Sequence, residues 1–235
     1  MSLKDEANKF AEILTEVVNG TVSKEVVFGV TLLEDGQVAW IFPRDSSPGK
    51  LELIPILVGG STVHNPRLWL NVWFKVKLDS DNRYLTVQQS QFSLVLDKQS
   101  ERPAVRIEYD RDKGYEPDDR EKGIHRRSAA HVQIHGVSEE IAYIQGLNGT
   151  KKLRNLSQFH IPVGGRRFRP SLEDFIEFLS MEDLISGLHL GWQDVLTRHR
   201  SKWLEIQLRS AIRADTDTTV DVLRTMGFLV SEPSK

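Results

Sequence analysis

From Leu70 to Leu78 apolar and polar positions alternate. Leu70, Val72, Phe74, Val76 and Leu78 form one set, and Asn71, Trp73, Lys75 and Lys77 the other. A period of two belongs to a strand with one buried and one wetter face. The same signature extends to both sides. EVVFGVTLL (Glu25–Leu33) and VAWIF (Val38–Phe42) flank an Asp-Gly pair and predict a hairpin. LELIPILVGG (Leu51–Gly60) and YLTVQQSQFSLVL (Tyr84–Leu96) continue the pattern, the latter entered through the turn-forming DSDN of Asp79–Asn82. AVRIEY, AHVQIHG, EEIAYIQG and LSQFHIPVGG supply up to four further strands between Ala104 and Gly165, with a polar insertion from Asp110 to Ser128.

At both ends the period becomes helical. Phe10, Ile13, Leu14 and Val17 lie on one face of a segment closing in Asn19 and Gly20, residues suited to a left-handed cap. Met1 to Leu3 has the form of a leader added for expression, so no role is expected of Ser2 or Leu3. Ser171 caps a predicted helix bearing Leu172, Phe175, Ile176 and Leu179, with Asp174 in place for a capping box. A longer helix, from about Leu190 to Ala214, carries Trp192, Val195, Leu196, His199, Trp203 and Ile206 on one stripe, and a short one follows to Gly227. Strands and helices segregated in this way give an α+β fold: an N-terminal helix, an antiparallel meander sheet (curved or a half-barrel) and C-terminal helices. Residues 1–165 are expected to form the sheet domain and 166–235 a helical subdomain packed on it.

Composition narrows the function classes. The chain has 235 residues, 39% of them apolar, enough for a sizeable core. Its net charge of -2 provides no whole-protein field for nucleic acid or an acidic membrane. Cysteine is absent, which removes disulfides, thiolate nucleophiles and thiolate zinc sites and suits a reducing compartment. No apolar run approaches the roughly 20 residues of a bilayer span, and the N-terminus lacks a basic region followed by an apolar one. A soluble cytoplasmic protein without cofactor or membrane contact is expected.

Candidate chemistry concentrates in one region. In AHVQIHG, His131, Gln133 and His135 share a strand face, while Val132 and Ile134 point to the other side. The two histidines are about 13 Å apart along such a strand, too far to ligate one metal. Their alternatives are an ordinary solvated face or acid/base work on a substrate. From Arg120 to Arg169 basic residues outnumber acidic ones ten to three, and His125, His131, His135 and His160 fall in the same window. Such a block suits a phosphate-rich ligand, or pairs with the acidic residues just upstream. VGGRRFRPS (Val163–Ser171) adds two glycines, Arg166, Arg167 and Arg169 and a helix N-terminus, a setting for an anion. It lacks the Lys-Ser/Thr ending of a nucleotide P-loop, and no nucleophile elbow, kinase signature or dinucleotide fingerprint occurs.

EYDRDKG (Glu108–Gly114) followed by HVQIH (His131–His135) resembles the TumE-type bacterial toxins, in which a Tyr-Asp turn precedes a basic, histidine-rich strand. Here a longer stretch separates the two parts and a helical tail is added. HIPVGGRRFRPSLEDFIEFL (His160–Leu179) is similar to a bacterial family of uncharacterised function. The leading expectation is an interaction with RNA, with His131 and His135 as candidates for metal-independent acid/base cleavage. Arg126, Arg127, Arg166, Arg167 and Arg169 would hold phosphates. The alternatives are a non-catalytic assembly protein, pairing with itself or a partner, and a small-molecule binder.

Overall fold

The computed structural model describes residues 2–44, 52–56, 66–96, 103–112, 129–147, 155–164 and 169–231. Its centre is the alternating segment. β4 (Leu68–Leu78) pairs along its length with β5 (Leu85–Val95), and Leu70, Val72, Phe74 and Val76 are buried on one side. β1 (Phe28–Leu33) and β2 (Val38–Pro43) form the Asp-Gly hairpin, whose tight turn puts Asp35 and Gly36 at positive φ. β2 and the short β3 (Ile54–Ile56) share one edge of β4. β6 (Val105–Asp110), β7 (Ala130–Ile134) and a two-residue β8 (Ile161–Pro162) extend the other side. All pairings are antiparallel, and the eight-stranded sheet is open.

Helices cover one face. α1 (Leu3–Asn19) packs Ala7, Ala11, Leu14, Val17 and Val18 into the core. Ser2 and Leu3 correct the expectation that they are idle: Ser2 Oγ accepts from the backbone of Asp5 at 3.2 Å, and Leu3 is buried. α3 (Leu172–Met181) starts with the predicted capping box between Ser171 and Asp174. It contributes Leu172, Phe175, Ile176 and Leu179 to the same core. Edge and tilted ring contacts link Phe10 of α1 to Phe74, Phe92 and Phe175 in turn, at 4.9, 5.4 and 6.1 Å. α4 (Trp192–Ala214) lies across α1 and α3, burying Leu196, His199 and Gln207, and α5 (Thr216–Thr225) follows. Among the described residues no helix is long and apolar enough to cross a membrane.

Three expectations are corrected. EEIAYIQG is not a strand but a helix, α2 (Glu139–Leu147). Ser138 Oγ accepts from the backbone of Ile141 at 3.3 Å and two glutamates fill the first turn, so capping overrides the β-forming isoleucines and tyrosine. LSQFHIPVGG forms a 3-10 turn over Leu156–Gln158 and only two strand residues, because Pro162 cannot donate to a ladder. Gly20 is not left-handed: its φ is -83°. A Cβ there would lie 3.0 Å from the Glu16 carbonyl and 3.1 Å from both methyls of Val195, so glycine lets α4 approach α1.

Two predictions follow from this packing. Gly20→Ala is expected to cost about 1–2 kcal/mol in denaturant unfolding. Adding Val195→Ala should recover part of that loss, giving a non-additive double-mutant cycle. The second concerns Glu173, buried in the first turn of α3, where burial pushes its carboxyl above the ordinary 4.5 despite a hydrogen bond from Ser171. Above that value the unfolded chain releases the proton before the folded one does, so stability declines as pH rises. Glu173→Gln is expected to exceed the parent in stability near pH 7 and to lose the advantage near pH 4, read from urea midpoints.

Candidate functional site

The face of the sheet opposite the helices is polar at its β6–β8 end. Tyr109, Ile107 and Val105 turn into the core, so the intervening Arg106 and Glu108 take the other side. Glu108 stands directly across from His131, and Arg106 across from Gln133. The two parts of the EYDRDKG and HVQIH pattern are therefore adjacent strands.

His131 Nε2 is 3.0 Å from a Glu108 carboxylate oxygen, and Arg106 Nε is 3.2 Å from the other. Arg106 Nε also donates to Gln133 Oε1 at 3.0 Å. That contact fixes the amide, whose Nε2 is left facing His160 Nε2 at 3.1 Å. An amide nitrogen only donates, so His160 Nε2 is the acceptor and its ring is neutral in this arrangement. The His131 and His160 rings are 4.6 Å apart. A carboxylate, two imidazoles and a guanidinium thus meet in one hydrogen-bonded cluster, the residue types of acid/base chemistry.

Burial decides how far that chemistry is open to a substrate. His131 and Gln133 are 1% and 7% exposed, whereas Ile134 is 38% exposed. The expected wet face is covered, and the strand end beyond it is the exposed part. Glu108 and Arg106 keep about a quarter of their side chains accessible. His135 follows β7, with its side chain exposed and its backbone N-H on the Ala104 carbonyl at 2.8 Å. It does not join His131. His160 takes that place, a neighbour hidden from sequence reasoning because it arrives through β8.

Arg169 is on the other side of the sheet. Its guanidinium stacks 4.0 Å from the Tyr109 ring centre and 4.9 Å from that of Trp203. Tyr109 belongs to the core face, so the sheet separates Arg169 from His131. Burial lowers the Arg169 pKa to about 10, with the nearby Arg111 charge acting in the same direction and Tyr109 opposing. It remains cationic at neutral pH. Arg126, Arg127, Arg166 and Arg167 lie outside the described residues, as do His64 and His125.

Arg169 opens into a groove of about 610 Å3 between the β4–β5 end and the C-terminal half of α4. Lys77, Arg111, Arg209 and Arg213 line it too, with Tyr84 and Trp203 as aromatic walls. Among the described residues Asp79 is its one carboxylate on the wall, and that side chain accepts from the Tyr84 backbone at 3.0 Å to close the hairpin turn. Arg213 lies 5.2 Å from the Tyr84 ring centre. A bulge in the β4–β5 ladder leaves Gln88 without a partner in β4, while its carbonyl accepts from the Arg111 backbone at 2.8 Å. Gln88 is 7% exposed, lines the groove, and its Nε2 has no hydrogen-bond partner. Local sequence windows miss this groove because its cations come from β4, the end of β6, the segment before α3, and α4.

Among the described residues no group of three or more His, Asp or Glu side chains has the arrangement of a metal site. The five tryptophans are half-buried, whereas Leu204, Leu208, Ile212, Met226, Phe228 and Leu229 of the C-terminal segment are exposed. Comparison of the chain with protein-family profiles, curated protein sequences and solved structures gives no match.

The cluster around Gln133 yields a stability prediction. Gln133→Leu removes the acceptor for Arg106 and the donor for His160, at an expected cost of about 1–3 kcal/mol in denaturant unfolding. Equal stability of parent and variant would mean that the amide contributes nothing net to the network.

Proposed function

We propose that the protein binds single-stranded RNA along the groove between β5 and α4, as a non-catalytic interaction. One observation carries the reading: among the described residues, five cationic side chains, of which Arg209 also holds Glu205, share this concave surface with two aromatic rings and one carboxylate already engaged by a turn. Cations tracking a phosphate backbone beside rings on which bases stack is how single strands are held without sequence readout. The unpartnered amide of Gln88 adds a donor suited to a phosphate or base oxygen. The overall charge of -2 does not oppose this, because a concave, partly desolvated surface focuses the local field.

Acid/base cleavage is not part of the reading. His131, with Glu108, is on the opposite face from Arg169, and its side chain is closed to solvent. RNA bound in the groove is therefore expected to be recovered intact.

Anisotropy of a fluorescein-labelled single-stranded RNA, titrated at several salt concentrations, tests both statements. Arg111→Ala combined with Arg213→Ala is expected to weaken binding about tenfold or more. It should also flatten the plot of log affinity against log salt by about 1.4, the loss of two phosphate contacts on a single strand. Binding that is absent at low salt, or identical in the double variant, would overturn the proposal. Shortened RNA on a gel, with cleavage abolished by Glu108→Gln, would transfer the function to the histidine cluster.

A further inference from the structure

The sheet and helices α1 and α4 leave a second space between them. It is an apolar cleft of about 350 Å3, within the range of small-molecule sites. Phe10 and Ile13 of α1, Phe74 and Phe92 of the sheet and Leu172 of α3 supply apolar wall, with Phe10 edge-on against Phe74. The cleft opens to the surface, so its apolar wall faces water and a bound apolar body would take that wall out of water. The accessible wall is mostly apolar, although Glu6, Lys9, Glu173 and Lys202 also border the cleft. Of the buried polar groups there that lack a partner, His199 is one: it is 2% exposed and its Nδ1 has no hydrogen-bond partner. Trp203 is another, with a buried indole N-H that also lacks an acceptor.

The cleft and the basic groove adjoin. Tyr84, Leu85, Val87, Arg169, Trp203 and Ile206 border both. A neutral apolar molecule would use one half of this space, and an inorganic anion the other. We propose that the combined space binds a small amphipathic anion, its aliphatic or aromatic body in the cleft and its carboxylate, sulfonate or phosphate at the Arg169 end. The body takes the apolar wall out of water, while the head meets a half-buried guanidinium whose planar fork suits an oxyanion. This site goes beyond the RNA reading and does not require it, because the cleft is bordered by α1 and the sheet and not by Arg111 or Arg213.

Anilinonaphthalene sulfonate, itself an amphipathic anion, is the reporter. Its fluorescence is expected to rise on binding the folded protein and to be displaced by decanoate at concentrations about tenfold lower than by decanol. Arg169→Gln should abolish that preference. Ile206→Asp keeps the proposal falsifiable where Arg169→Gln fails to fold, because Ile206 is 56% exposed and places no demand on the core. A carboxylate at that shared rim is expected to weaken decanoate and leave decanol nearly unchanged. Decanoate should also raise the melting temperature of the parent protein more than decanol does. No fluorescence change with the folded protein, or equal displacement by decanoate and decanol in parent and Ile206→Asp alike, would overturn the inference. Neither outcome bears on RNA binding, which the salt titration decides separately.

Discussion

The arrangement of β6, α3 and α4 depends on the half-buried guanidinium of Arg169. A cation removed from water must be compensated locally, and here the faces of Tyr109 and Trp203 take part in that compensation. Tyr109 belongs to β6 and Trp203 to α4, so the contact ties sheet to helix through the segment that leads into α3. Gln207, one turn further along α4, donates to the Arg169 carbonyl at 3.5 Å. The distance between α4 and the sheet is thereby set by a side chain longer and more polar than a core residue. This explains why α4 packs closely at Leu196 yet leaves open space near Ile206, and why that space has a cation at its centre.

Most of the architecture was legible from periodicity. The alternation in β4, the Asp-Gly hairpin and the Ser171 capping box each rest on local rules, and each is found as read. Errors arose where two local rules competed. Ile141, Tyr143 and Ile144 argue for a strand, but Ser138 with Glu139 and Glu140 argues for a helix start, and on a segment with little core contact the cap decides. Gly20 shows the complementary failure. A glycine after a helix reads as a left-handed cap, whereas its actual cause is the approach of Val195, a residue far along the chain. No local window contains that contact.

The candidate sites were less legible for the same reason. Strand alternation correctly grouped His131 with Gln133, but it does not say which sheet face is covered. It was also silent on the carboxylate opposite, which depends on the register of β6 against β7. The basic block drew attention to a window of sequence, yet of its ten cations only Arg169 falls among the described residues. The groove recruits its other cations from elsewhere: Arg209 and Arg213 are one helical turn apart on α4, a spacing that in sequence reads as an ordinary solvated helix face.

The two ionisable clusters differ in a way that bears on function. On the outer face Glu108 answers Arg106 and His131, and Gln133 bridges to His160, so opposite charges and donors and acceptors are matched across adjacent strands. A balanced, largely covered network specifies strand register and offers little to an incoming ligand. The groove is unbalanced: five cations face one carboxylate that the hairpin already uses, although Arg209 also holds Glu205 at 2.7 Å. Like charges brought together on a concave surface repel one another, so an anion that enters gains from relieving that repulsion as well as from direct contact. On the proposed reading, a surface arranged in this way favours the state with an anion bound, and the apolar cleft beside Arg169 would select among anions.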